Sequence, residues 1–437
     1  MVIFKFSEVN EAIEHLHDNK SRGTDSSLTA EVLKRGGIFV KTQVFLICQQ
    51  VYENHTAPKQ WTTNLIVPIP KKGNLQLMTN YRGISLMSIV AKVYNKVLLN
   101  RLQPVVDKLL RNNQAGFRLG RGCTQQIHIL RRIFEGASAK QLPLYATFID
   151  FKKAFDSINR DMMFAILRHY GIPEKIVHAI RTLYENSTSK VLVDGKTSAE
   201  FKTTTGVLQG DVLAPFLFII VIDYVIRNSV GSYGFVTHLK EGTRTRTHKP
   251  EQKLNDLDYA DDIALLESAI ERAQDQLDQT SAEASKVGLQ INADKTKLMI
   301  IGAPLYGPHQ TIKHNTEYIE VVQDFKYLGA MMASSAGDIK VRKGQAWGAF
   351  WKLKDFGKAK SISIQLKIRL FKASVLSILL YGSETWIINK QQKSMFDSFA
   401  TSCYRIMLNV KRTDRITNEE IYNRVEQKPL SVTILKR

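Results

Sequence analysis

Apolar positions along this chain follow two patterns. Short uninterrupted apolar runs bounded by turn residues read as buried strands, and longer stretches with apolar residues every three or four positions read as helices facing a core. Of the first kind are "NLIVPIP" (Asn64–Pro70) and "LYATFID", which ends at Asp150. "LNDLDYADDIALLE" reads as strand, turn, strand, and "SKVLVDGKTSAEFK" as a hairpin turned at Asp194-Gly195. "YRGISLMSIVAKVYNKVLLNRL" starts extended and becomes an amphipathic helix, with Val90, Val93, Tyr94, Val97 and Leu98 at helical spacing. "DMMFAILRHYGIPEKIVHAIRTLYENS" reads as two helices broken at Gly-Ile-Pro. "LAPFLFIIVIDYVIRN" is a buried helix, and "AIERAQDQLDQTSAEASKVGL" a surface helix ended by Gly288. Beyond about Gly337 the pattern is helical throughout. Strands and helices mixed in this way predict an α+β fold. There is no internal repeat, and the basic stretch Lys240–Lys253 is the candidate for a flexible insertion.

Composition adds one strong constraint. The 437 residues hold enough apolar material, 44%, for real cores. The balance of 61 basic against 41 acidic residues gives +20, which calls for a polyanionic partner such as nucleic acid or an anionic membrane. From Val341 to Arg437 there are 19 basic and 7 acidic residues, so the last stretch carries more than half of the excess. The longest apolar run, Val212–Ile222, is 11 residues and contains Pro215, whereas a membrane span needs about 20. Cys48, Cys123 and Cys403 are too few and too scattered for a disulfide framework or a zinc knuckle. The expectation is an intracellular protein, nuclear or cytoplasmic, with no signal peptide and no membrane segment.

Against this background the acidic residues at strand ends stand out. Asp261 and Asp262 sit side by side where the pattern asks for burial, and like charges so placed both stay ionised when a cation shares the site. Read alone, the pair fits a solvated β-turn equally well. Asp150 ends a second apolar run and, read alone, also fits a helix N-cap for "FKKAFDSI". Two neighbouring strands ending in Asp can hold two divalent ions about 3.5–4 Å apart, an arrangement suited to phosphoryl displacement. All-oxygen ligands with positions left open for phosphates favour magnesium.

"FIDFKKAFDSI", "GVLQGDVLAPFLF", "LDYADDIALL" and "GLQINADKTKLMI" together resemble the ordered A, B, C and D motifs of reverse transcriptases. The wording is most similar to the non-LTR (LINE-type) retrotransposon enzymes. The resemblance extends upstream through "WTTNLIVPIPKKG", "NYRGISL" and "QAGFRLGRGCTQQI", and downstream through "FKYLGAMM" to "TDRITNEEI", nearly the whole chain. It implies a right-hand polymerase, with fingers, a palm of antiparallel sheet and helices, and a helical thumb. Residues 1–50 would form a helical lead-in, 51–330 the fingers and palm, and 331–437 a basic thumb-like region that stops short.

Carried over residue by residue, the resemblance makes Asp150 and Asp261 metal ligands, with the backbone carbonyl of Phe151 as a further contact and Asp262 as the supporting carboxylate. Two Mg2+ ions are implied, with Mn2+ as a substitute. Phe155 is similar to the bulky gate under the sugar that excludes a 2′-hydroxyl, and Gln209 to the residue that touches incoming nucleotide and template. Gly210 lets the backbone approach the template–primer. Lys71 and Arg82 resemble fingers cations that hold the triphosphate, and Lys295 resembles a lysine that protonates the leaving pyrophosphate. On its residues alone, Lys71 also reads as part of a solvated basic turn, and Lys295 as a strand-edge lysine. Arg118 and Arg121 suit template backbone, and Lys352 and Lys354, interleaved with Trp347, Phe350 and Trp351, suit a duplex groove. The implied partners are an RNA template, a DNA or RNA primer and dNTPs. The implied activity is RNA-directed DNA polymerisation; the other reading is a co-opted remnant that binds RNA without polymerising. The resemblance implies a polymerase region without the endonuclease domain.

Overall fold

The computed structural model describes residues 3–21, 23–24, 28–71, 73–231, 233–236, 253–302 and 311–436. Of the candidate insertion Lys240–Lys253, all but Lys253 lies outside the described residues. The chain divides into two compact units. The first comprises Met1–Arg121, Ala146–Leu298 and His309–Glu320, and the second Gly122–Tyr145, Met299–Pro308 and Val321–Arg437.

The elements of the first unit that carry the site are, in chain order, strands β1 (Thr63–Pro70) and β2 (Tyr81–Leu86), helix α1 (Ile89–Val106), strand β3 (Leu144–Ile149), helices α2 (Arg160–His169) and α3 (Glu174–Tyr184), strand β4 (Thr188–Val193), helix α4 (Ala214–Ser229), strands β5 (Asp256–Tyr259) and β6 (Asp262–Glu267), and helix α5 (Ile270–Lys286). The strand and helix segments read from the pattern are therefore present, with bounds shifted by a residue or two. β1 pairs antiparallel with β2 and parallel with β4. The Asp194-Gly195 turn takes positive φ at both residues, +49° and +76°, as a tight hairpin turn with the right twist requires.

β3, β6 and β5 are adjacent in a second sheet, with β5 at its edge. All six residues of β3 are buried, which accounts for an apolar run with no alternation. Helix α4 runs behind them and is buried along nearly its whole length, Phe216 to Ile222 each at most 2% exposed. Its Pro215 occupies the first turn, where a missing N–H costs nothing. The apolar face of α1 read from sequence is the one that is buried: Val90, Val93, Tyr94, Val97 and Leu98. The N-terminal helix Phe6–Glu14 packs here too. Phe4 stacks on Tyr52 at 4.4 Å, and Arg101 of α1 forms a bidentate ion pair with Glu8.

The second unit has its own core. Phe350, Phe371, Phe396, Phe399, Tyr404 and Ile421 from its helices form a continuous apolar cluster. A buried ion pair, Arg131 to Asp338 at 2.7 Å, joins the helix Cys123–Ala139 to the helix Ser335–Lys352. Trp386 Nε1 donates to the same Asp338 carboxylate. Most of the aromatic residues read as candidates for stacking on nucleic acid serve this core, Phe350 fully and Trp347 in part. Trp351 is 49% exposed, and Lys354 stands over its ring at 5.1 Å, while Lys352 is exposed. Among the described residues no helix is long and apolar enough to cross a membrane.

Candidate active site

β3 delivers Asp150 to its end, and the two-residue turn between β5 and β6 presents Ala260 and Asp261, with Tyr259 opposite Asp262 in the ladder. Because β3 and β6 are neighbours, the three carboxylates face one another closely enough to interact through their charges. The crowding of protein around the carboxyl of Asp261 raises its pKa. Its own backbone hydrogen bond lowers it, Asp150 adds to the rise, and Arg82 pulls the other way. Asp262 is pushed up to about 6, by burial first and then by the charges of Asp261 and Asp150. Both side chains nevertheless reach solvent.

Asp150 is held by its backbone: its N–H donates to Thr296 Oγ1 at 3.3 Å, and its carbonyl accepts from Asn292 at 2.8 Å. Its carboxylate Oδ2 is enclosed without a hydrogen-bond partner, with Lys295 Nζ 3.7 Å away. The pairing with Gln290 and Asn292 uses the Asp150 carbonyl and the Lys152 N–H, so the Phe151 carbonyl is not consumed by that ladder. Three neighbouring carboxylates are a donor set that suits a hard divalent cation. Asp150 and Asp261 would hold it. Among the described residues no group of three or more His, Cys, Asp or Glu is placed so that it could hold a metal ion.

Around the carboxylates the other residues read from sequence fall into place to different degrees. The Phe155 ring stacks on Phe218 of α4, centroids 4.2 Å apart and planes within 8°, and meets the edge of Phe117 at 6.4 Å. It is a fixed aromatic wall. Gln209 donates its side-chain N–H to Asp156 Oδ1 at 3.3 Å, and its carbonyl accepts from Ser85 N at 2.6 Å. Gly210 has φ +118°, and a Cβ there would lie 2.6 Å from the Ser85 carbonyl, so only glycine lets this loop close on β2. Asp211 is buried and fastened to Asn95 of α1 at 2.8 Å. Arg82, on β2, is exposed and close enough to influence Asp261. Lys71 likewise acts on Asp156.

Arg118 has a structural role. It is 6% exposed, and its guanidinium is bound to the Asp107 carboxylate and to the carbonyls of Asp107, Arg111 and Gln114. Arg121 is tied to Asn112 but remains partly open. Lys352 and Lys354 lie in the second unit. Sequence reasoning passed over Asp156, Thr296 and above all Arg111. The Arg111 guanidinium meets three wholly buried carboxylates, Asp223 of α4 and Asp256 and Asp258 of β5. Burial opposes the Arg111 charge, but the three acids outweigh it. Asp258 is pushed well above the carboxylate range, by burial and then by the charge of Asp256. Arg227 also binds Asp223.

Asp150 and the Asp261–Asp262 turn thus stand at the ends of adjacent strands of one sheet. A family model described as "Reverse transcriptase (RNA-dependent DNA polymerase)" matches residues 69–332, and the chain belongs to this family. Its relatives come from non-LTR retrotransposons. The chain is 31% identical over 227 residues to the Pol polyprotein of the type-2 retrotransposable element R2DM of Drosophila melanogaster, covering 52% of this chain and 20% of the relative. It is 26% identical over 396 residues to the probable RNA-directed DNA polymerase from transposon BS of the same species, covering 87% and 42%. With the RNA-directed DNA polymerase from mobile element jockey, also of that species, it shares 28% over 295 residues, covering 65% and 30%. The chain thus spans less than half the length of each of these relatives.

Proposed function

We propose that this chain is an RNA-directed DNA polymerase that extends a primer 3′-hydroxyl with dNTPs on an RNA template. The observation that carries the reading is the close approach of three carboxylates, Asp150, Asp261 and Asp262, at the ends of adjacent strands, with Lys295 3.7 Å from Asp150 as a neighbouring cation. Two divalent ions, magnesium or manganese, would supply the charge that activates the attacking hydroxyl and steadies the leaving oxygens. Asp150 and Asp261 would ligate them, with the Phe151 carbonyl as a further oxygen and Asp262 in support. Arg82 and Lys71 would hold the triphosphate, Arg as a planar fork and Lys as a point charge. Lys295, which pairs with Asp150 at 3.7 Å, would be the lysine that gives a proton to the leaving pyrophosphate. Gln209, fixed by Asp156 and by Ser85, would position the nucleotide against its template base, with Gly210 keeping the backbone close. Arg121, Lys352 and Lys354 remain the candidates for template and primer backbone, and the basic excess supports such a partner.

The wall at Phe155 makes the reading testable. On an RNA template with a DNA primer, the wild-type chain should incorporate dNTPs and reject rNTPs. Phe155→Val should keep dNTP incorporation and lower the dNTP-over-rNTP ratio by up to about 10²-fold, the discrimination an apolar wall gains against one hydroxyl. Salt-dependent RNA binding with no incorporation of either nucleotide by wild type would favour the RNA-binding remnant instead.

A further inference from the structure

The turn that aims Asp261 is not held by its own hairpin alone. Ala260 has φ +58°, while Asp261 is not among the residues with positive φ. A two-residue turn of this kind favours glycine at its first position, and an alanine there needs support from outside. That support comes from a segment about 145 residues away in sequence. Asn113, Gln114 and Ala115 lie along the free edge of β5: Asp258 N donates to the Asn113 carbonyl, and Ala115 N donates to the Asp258 carbonyl. Gln114 is wholly buried. Its side-chain oxygen accepts from Ala260 N at 2.9 Å and from Gly116 N at 2.7 Å, and its side-chain nitrogen donates to the Ala260 carbonyl at 3.4 Å. A Cβ on Gly116 would lie 2.3 Å from Ala260 N, so residue 116 is glycine where the segment presses on the turn. Both polar groups of the Ala260 backbone are thus engaged by one carboxamide.

We infer that Gln114 is a positioning residue for the metal site: its carboxamide clamps Ala260 in the left-handed conformation and thereby sets the direction of Asp261 toward Asp150. The inference rests on the polymerase reading for its consequence, not for its geometry. Gln114 touches no reacting atom. It acts as the outer partners of metal ligands do, by fixing where a ligand points, and loss of such a partner typically costs about 10–100-fold in metal affinity or activity.

Gln114→Met keeps the volume of the side chain and removes all three hydrogen bonds. Two readouts on the full chain, without nucleic acid or dNTP, test the clamp. Amide hydrogen exchange should rise in the Tyr259–Ile263 segment of Q114M while the core of α4 stays protected. Mn2+ binding followed by paramagnetic resonance should weaken by about 10–100-fold. Ala260→Gly placed on top of Q114M should recover much of the Mn2+ affinity, because glycine takes positive φ without a clamp. A packing role alone would leave the double variant as weak as Q114M or weaker. Unchanged exchange at the turn in Q114M overturns the inference, as does no recovery with A260G when the wild-type chain binds Mn2+. Raised exchange in Q114M beside a wild-type chain that binds no Mn2+ supports the clamp and counts against the polymerase reading.

Discussion

Asp261→Asn is expected to reduce metal-dependent dNTP incorporation by roughly a thousandfold or more, the several kcal/mol that a metal's charge contributes to a phosphoryl transition state. The substitution keeps size and removes one negative charge from a turn whose Ala260 backbone is engaged by Gln114. Folding should therefore survive. RNA affinity should persist as well, since it comes from basic residues elsewhere. The loss should appear in kcat more than in template binding, and primer extension beside a filter-binding curve separates the two. Equal loss of RNA binding would mean that the turn carries structure and not chemistry.

Arg111→Ala is expected to be the most destabilising single substitution in the first unit. It leaves Asp223, Asp256 and Asp258, all 0% exposed at the side chain, facing one another without their shared cation. Breaking a buried pair from one side costs about 3–5 kcal/mol, and here three acids lose the same partner. The pH dependence has a definite sign. A buried acid whose folded-state pKa lies above its unfolded value favours folding below the unfolded value, and that advantage is lost as pH rises through the folded one. Asp258 is already raised in the intact cluster, and removing Arg111 raises it further. The deficit of R111A should therefore shrink as pH is lowered and grow as it is raised. Urea unfolding across a pH series measures it. A deficit independent of pH would place the cost of R111A in packing and not in charge.

These two residues also mark how far the sequence could be read. Asp150, Asp261 and Asp262 stood out because each lies at the end of an apolar run, but only the resemblance of the ordered motifs around them favoured a metal site over a solvated turn or a helix N-cap. The strands, the break at Gly-Ile-Pro and the buried α4 were legible from the local pattern itself. Arg111 and Gln114 were not. Their partners lie about 145 residues away, and nothing in the spacing of "RNNQAGF" says that its polar residues face the edge of β5. Arg118 shows the converse: a cation in a basic, glycine-rich phrase looked available to template, whereas its donors are spent on Asp107 and on nearby carbonyls. Charge is visible in a sequence, but its pairing is not. The N-terminal residues likewise read as a separate lead-in, and it took Phe4 on Tyr52 and Glu8 on Arg101 to tie them to α1.

The central claim is that Asp150 and Asp261 jointly hold divalent metal at the point of nucleotide addition. The most direct measurement is an anomalous-scattering map from crystals of the full chain with RNA template, DNA primer, a non-hydrolysable dNTP and Mn2+. Two peaks bridged by the carboxylates of Asp150 and Asp261, about 3.5–4 Å apart, are the predicted result. A nucleotide bound in place with no Mn2+ between those two carboxylates would contradict it.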